Sequence, residues 1–155
     1  MVRRGLDRRW LAVLALSGLA VIGGYGWHFQ AEPERVVLAP DGCDIQQGAC
    51  RRELPGGGEL VFEILPRPIP VAQRLRLRVQ LRDVPAERVE VDFSGVDMRM
   101  LYNRPRLTPL GEGRFEGETS LSVCIRQRMR WEARVLLRLP ERIIEVPYRF
   151  DTTRS

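Results

Sequence analysis

The chain has 155 residues, enough for one domain and a short appendage, and is 44% hydrophobic and 29% charged, too apolar for a disordered chain. Its formal charge is +5, from 25 basic and 20 acidic residues, and every basic residue is arginine. The single histidine, His28, excludes a multi-histidine zinc site and paired-histidine acid–base chemistry.

Residues 1–9 carry Arg3, Arg4, Arg8 and Arg9 against one acid, Asp7, and read as a basic cytoplasmic start. Trp10 to Phe29 then runs for 20 residues without a charge. A helix of that length is about 30 Å long and matches the hydrocarbon core of a bilayer, so 10–29 is expected to be a transmembrane anchor. Trp10, Tyr25, Trp27 and Phe29 fall where interfacial aromatics belong, and the preceding arginines orient the span outward. A cleaved secretory signal is the competing reading, but the bulky Tyr25, Trp27, His28 and Phe29 do not suit a small-residue cleavage site. Both readings put residues 31–155 outside the cytoplasm. Four of the 25 arginines and one of the 20 acids lie before them, which leaves that segment at +2. So small a charge is no argument for nucleic-acid binding, and in that compartment no nucleic-acid partner is expected.

Residues 30–58 are expected to be a linker, broken by Pro33, Pro40, Gly42, Gly48 and Pro55-Gly-Gly-Gly58. Cys43 and Cys50 lie within it in DGCDIQQGAC, and an exported protein is expected to join them as a disulfide. Closing a ring of about eight residues stabilises the fold by roughly 2.5 kcal/mol in the chain-entropy account. Cys124 is then the odd thiol.

Residues 59–152 are expected to be an all-β domain. Leu60–Leu65 is a short apolar run ended by Pro66, Pro68 and Pro70. Arg74–Arg82 alternates strictly, with Leu75, Leu77, Val79 and Leu81 on one face and arginines with Gln80 on the other. Arg88–Phe93 repeats the alternation, followed by shorter strands at Met98–Tyr102 and Arg106–Leu110 and a turn at Gly111-Glu-Gly113. Arg114–Glu116, Thr119–Ile125, Met129–Leu139 and Arg142–Phe150 complete the set. No long window has a helical period, and strands at this spacing predict an immunoglobulin-like two-sheet sandwich preceded by one N-terminal transmembrane helix. The arginine stripe of 74–82 is expected to be a solvated face paired with Glu90 and Asp92, with docking to anionic lipid or an acidic protein as the alternative. Arg126, Arg128, Arg130 and Arg134, with Glu132, form a second such stripe.

Beyond Met1 there are three methionines, Met98, Met100 and Met129, and they cluster in sequence around Cys124. On a strand, positions 98 and 100 share a side about 6.7 Å apart, a distance that flexible thioethers can close onto one ion. Soft thioether and thiolate donors suit Cu(I), so Met98, Met100, Cys124 and Met129 are the candidate metal ligands. The alternative is packing, since methionine fills gaps and a buried cysteine behaves as a small hydrophobe. By parity Met129 shares a face with Trp131, and a turn at Arg126-Gln-Arg128 is needed for Cys124 and Met129 to converge.

The segments FSGVDMRMLYN, LTPLGEGRFEG, LSVC and MRWEARV resemble the FixH/YtkA-like group of membrane-anchored exported β-domains. The resemblance covers about residues 60–150 plus the N-terminal anchor. It implies a β-sandwich on the inner membrane, facing the periplasm and linked to copper delivery or haem-copper oxidase assembly. Its partner would be a respiratory oxidase subunit or a copper chaperone. The carry-over points to Met98 and Met100, with Cys124 and Met129 at matching places in a cysteine-bearing variant. Two readings stand: a Cu(I)-binding accessory protein, and a metal-free interaction or assembly subunit. No nucleophile–base pair or phosphate loop points to an enzyme.

Overall fold

The computed structural model describes residues 33–98, 101–122 and 127–153. Among them are nine strands: β1 Glu34–Val37, β2 Cys50–Glu53, β3 Glu59–Leu65, β4 Leu75–Arg82, β5 Arg88–Gly95, β6 Thr108–Gly111, β7 Arg114–Thr119, β8 Arg128–Arg138 and β9 Arg142–Thr153. They make an all-β fold of two sheets, ordered β1-β9-β8-β5 and β2-β3-β4-β7-β6. No helix among the described residues is long and apolar enough to cross a membrane, and the expected span 10–29 lies outside them.

The alternation read from the sequence decides which face is buried. In β4 the Leu75, Leu77, Val79 and Leu81 side chains enter the core and the intervening side chains face out. Val89, Val91 and Phe93 of β5 and Met129, Trp131, Ala133, Val135 and Leu137 of β8 do the same from the other sheet. The two inner faces share one core, and Phe62 meets Tyr148 across it with ring centroids 5.2 Å apart. Each fully buried aliphatic side chain contributes about 1.5–3 kcal/mol relative to exposure.

Three expectations need correction. The stretch 30–58 is not all linker, because β1 pairs in parallel with β9 and β2 pairs antiparallel with β3. Both strands are four residues long and charged, so neighbours rather than their own pattern make them strands. Leu101 and Tyr102 lie in no strand, and the one expected at Thr119–Ile125 stops at Thr119, while 99–100 and 123–126 fall outside the described residues. Leu121 is buried all the same, with its carbonyl accepting the Ala72 N–H at 2.9 Å. Lastly, the arginines of β4 do not meet Glu90 and Asp92. β4 and β5 lie in different sheets, so the stripe pairs with its true neighbours. Arg78 bonds Glu63 and Glu116, Arg76 bonds Glu116, Arg74 bonds Glu118 and Arg82 bonds Glu59.

Topology gives the domain two ends. β9 starts at Arg142, in register with Glu34 where the described chain begins, and finishes at Thr153 opposite Arg128. Its 12 residues span about 37 Å. The proximal end therefore holds the starts of β1, β5 and β9, and the 111–113 turn. Three connections leave the sheets at the distal end, after β3, β5 and β7. Within the second, 103–107 runs beside β5, through Phe93 N–H to Asn103 O (2.9 Å) and Leu107 N–H to Val89 O (2.9 Å), before β6 joins the other sheet. That segment covers an edge of β5 that would otherwise expose unpaired backbone.

Candidate functional site

Met129 points into the core near the distal end of β8 and is buried. It stands opposite Thr152 of β9, whose hydroxyl accepts the Trp131 Nε1–H at 3.0 Å. Met98 follows β5 and is partly buried, packed against the same core. Gly95 is in register with Trp131, and Val96 N–H then bonds Arg130 O at 3.0 Å. This pairing draws the chain leading to Met98 along the start of β8. Two of the four candidate sulfurs thus occupy one end of the domain, both against packed side chains. Met100 and Cys124 lie outside the described residues, as does the start of the turn expected at 126–128.

The rim of this end is ionic. Arg128 and Arg130 flank Met129 and converge on Asp151, at 2.7 and 3.1 Å. The Arg130 hydrogen bond holds the Asp151 carboxyl below its ordinary value against a smaller desolvation effect, and Arg128 adds to the lowering. Gln46 reaches in from the disulfide loop: its Oε1 accepts the Ile69 N–H at 2.8 Å and its Nε2 donates to Asp151 O at 2.6 Å. Cys43 and Cys50 are joined, with Cα atoms 5.9 Å apart, and the fully buried Ile45 plugs the core inside the ring. The disulfide loop is therefore a clamp on the distal end as well as a staple.

An open cleft of about 600 Å³ is lined by Leu101, Tyr102, Asn103, Ala72, Ser120 and Ser122 among others. Its floor is fixed by Asn103, which donates to Ser120 O at 3.0 Å and accepts from the Thr119 hydroxyl at 2.8 Å. Leu101 and Tyr102 are 82% and 79% exposed, and the Tyr102 ring takes the Arg104 guanidinium 5.5 Å from its centroid.

Among the described residues no group of three or more His, Cys, Asp or Glu side chains converges to hold a metal ion. The soft donors described at the distal end are the Met98 and Met129 thioethers. The sequence pattern reached the methionines and the face of Met129. It missed Gln46 and Asp151, whose roles depend on contacts between residues more than 100 positions apart; the one available signal was a polar side chain inside a short cysteine ring.

No protein-family description, no curated protein and no solved structure matches the chain.

Proposed function

We propose that this chain is a membrane-tethered exported accessory protein whose distal end binds, or passes on, Cu(I) through sulfur. The observation that carries the reading is that the loop of Met98 is hydrogen-bonded alongside the strand of Met129, at the end of the domain away from where the chain enters. Met100 and Cys124 would complete a three- or four-sulfur donor set. Thioether and thiolate ligands favour Cu(I), and a set without histidine serves Cu(II) or zinc poorly. The role is one of binding rather than catalysis.

The strand order supports an immunoglobulin-like reading of the sandwich. β3-β4-β7-β6 facing β9-β8-β5 follows the ABED and CFG order of such domains, with β1 and β2 added at the edges. That agrees with the resemblance to the FixH/YtkA-like group, and we read the chain as working in the periplasm on the inner membrane. Its partner would be a haem-copper oxidase subunit or a copper chaperone. A metal-free interaction subunit is the second reading, favoured by the burial of Met129 and the exposure of Leu101 and Tyr102.

The test is anaerobic titration of the full chain, in uncharged detergent, with Cu(I) against a chromogenic Cu(I) chelator. Uptake of about one ion per chain is expected, held by three or four sulfurs. Met98→Leu with Met100→Leu should abolish uptake and leave the thermal midpoint nearly unchanged, since leucine and methionine have similar volumes. Uptake that survives the double substitution, or never occurs, leaves the interaction reading.

A further inference from the structure

Arginines cover both outer sheet faces, and most of the described ones sit against a carboxylate. Arg88 and Arg138 do not. They stand directly opposite one another on β5 and β8, at the proximal end, on the outer face of the four-stranded sheet. The Nε of each is buried and has no hydrogen-bond partner. Among the described residues neither arginine makes an ion pair or side-chain hydrogen bond. Several acids share this end: Glu34 is in register with Arg142, Glu112 pairs with Arg114, Glu59 pairs with Arg82, and Asp83 follows β4. Glu90 is aligned with Leu136 rather than with an arginine, Glu87 bonds the Arg138 carbonyl only through its backbone N–H, and Glu141 lies in the β8–β9 turn.

Like charges in direct cross-strand register are destabilising, with Cβ atoms about 5 Å apart. An oxyanion lying across both guanidiniums turns that repulsion into charge-assisted hydrogen bonding, and arginine's planar fork suits phosphate. With each Nε enclosed, the terminal nitrogens are the donors an outside anion can reach. The row containing this pair continues through Ile143 to Arg35 of β1, one residue from where the strand begins. Residues 10–29, uncharged throughout, precede that point in sequence.

We propose that Arg88 and Arg138 form a binding site for the phosphate of an anionic phospholipid headgroup. The choice of a headgroup over free phosphate rests on the tether reading above; the anion site itself does not. Binding there would set the proximal end against the membrane surface and direct the distal end away from it.

The experiment uses the full chain in uncharged maltoside micelles, titrated with short-chain phosphatidylglycerol, with phosphatidylcholine of the same chain length, and with inorganic phosphate. The readout is the Nε–H resonances of Arg88 and Arg138 together with the backbone amide resonances of Val89 and Leu137, which the double variant retains. Phosphatidylglycerol should shift them saturably, and phosphatidylcholine, whose charge is internally balanced, about tenfold more weakly. Arg88→Gln with Arg138→Gln should weaken binding by at least about tenfold. In lipid-free micelles Arg138→Gln alone should raise the thermal midpoint or leave it unchanged, because it removes a repulsion. Absence of a saturable shift, or equal lipid binding by the double variant, overturns the site. Saturation by inorganic phosphate without any by phosphatidylglycerol overturns the headgroup assignment. A chain that stays soluble without detergent refutes the tether on its own, and the same titration then still reads the arginine pair.

Discussion

At the residue scale, the two described methionines differ in what surrounds them, and truncation separates the contributions. Met129 is enclosed by the core, so Met129→Ala should cost about 2–4 kcal/mol through lost transfer energy and the cavity left behind. Met98 is half-buried, and Met98→Ala should cost clearly less, about 1 kcal/mol. Denaturant unfolding of the two variants measures the difference; equal costs would mean that Met98 is as integral to packing as Met129. Gly113 is a second residue with a definite expectation. Its φ of +71° is left-handed, its carbonyl accepts the Leu81 N–H at 2.8 Å, and a Cβ there would run into the Leu81 carbonyl oxygen. Gly113→Ala should therefore destabilise by roughly 2–3 kcal/mol, seen as a lowered denaturation midpoint with an unchanged m-value. The turn at 111–113 was legible because glycine spacing between two strand patterns is a local signal. The face of Met129 was legible for a similar reason, since period-two parity fixes it relative to Trp131. The course of Leu101 and Tyr102 was not, because they fit a strand locally while the edge of β5 is taken by 103–107.

At the scale of elements, local pattern and non-local pairing divide the strands. β4 carries four alternating inward apolar side chains and β8 five, and both were readable without a partner. β1 and β2 have four residues apiece, no apolar alternation, and owe their conformation to β9 and β3. The same non-locality redirected the β4 arginines, because sheet order and not chain order decides which carboxylate they meet. The disulfide loop is the element where both kinds of information act together. Its cysteines were apparent from spacing, yet its mechanical role comes from Ile45 in the core and from Gln46 bonding Ile69 and Asp151. Cys43→Ser with Cys50→Ser should lower stability by roughly 2.5 kcal/mol, the loop-closure contribution. Gln46→Leu with the disulfide intact should instead act locally, raising hydrogen exchange at the Ile69 amide while core amides of β4 stay protected. Exchange at Ile69 that stays slow in Gln46→Leu would assign the clamp to Ile45 alone.

At the scale of the whole molecule, the outer face of the four-stranded sheet is tied by an ionic ladder rather than left to water. Arg35 bonds Glu145, which bonds Arg134, which bonds Glu132, which bonds Arg149, at 3.0, 3.1, 2.6 and 2.9 Å. Both glutamates are buried, and Leu136 and Ile143 lie buried on the same face, outside the main core. In register Ile143 sits between Arg35 and Arg138, where long aliphatic stems can roof it while their charged heads remain in water. Such a face makes stability depend on the ionisation of its carboxylates. Burial works against the Glu132 charge, but the hydrogen bonds from Arg134 and Arg149 outweigh it and hold the carboxyl below its ordinary value. Asp151, beside Arg130 and Arg128, is lowered in the same direction. A carboxyl whose folded pKa is depressed binds fewer protons in the folded state, so stability from these groups is fully present above the ordinary values of 4.5 and 3.8 and is lost as pH falls through the folded values. The thermal midpoint should accordingly be flat from pH 7 to about 5 and fall steeply below about 4. Glu132→Gln should lower the midpoint at pH 7, because two arginines lose their counter-charge at a buried position, and should flatten the acid limb, because the group that titrated there is gone. A variant with an undiminished acid limb would show that the ladder is not where protonation acts, and Asp151→Asn would then be the substitution that flattens it.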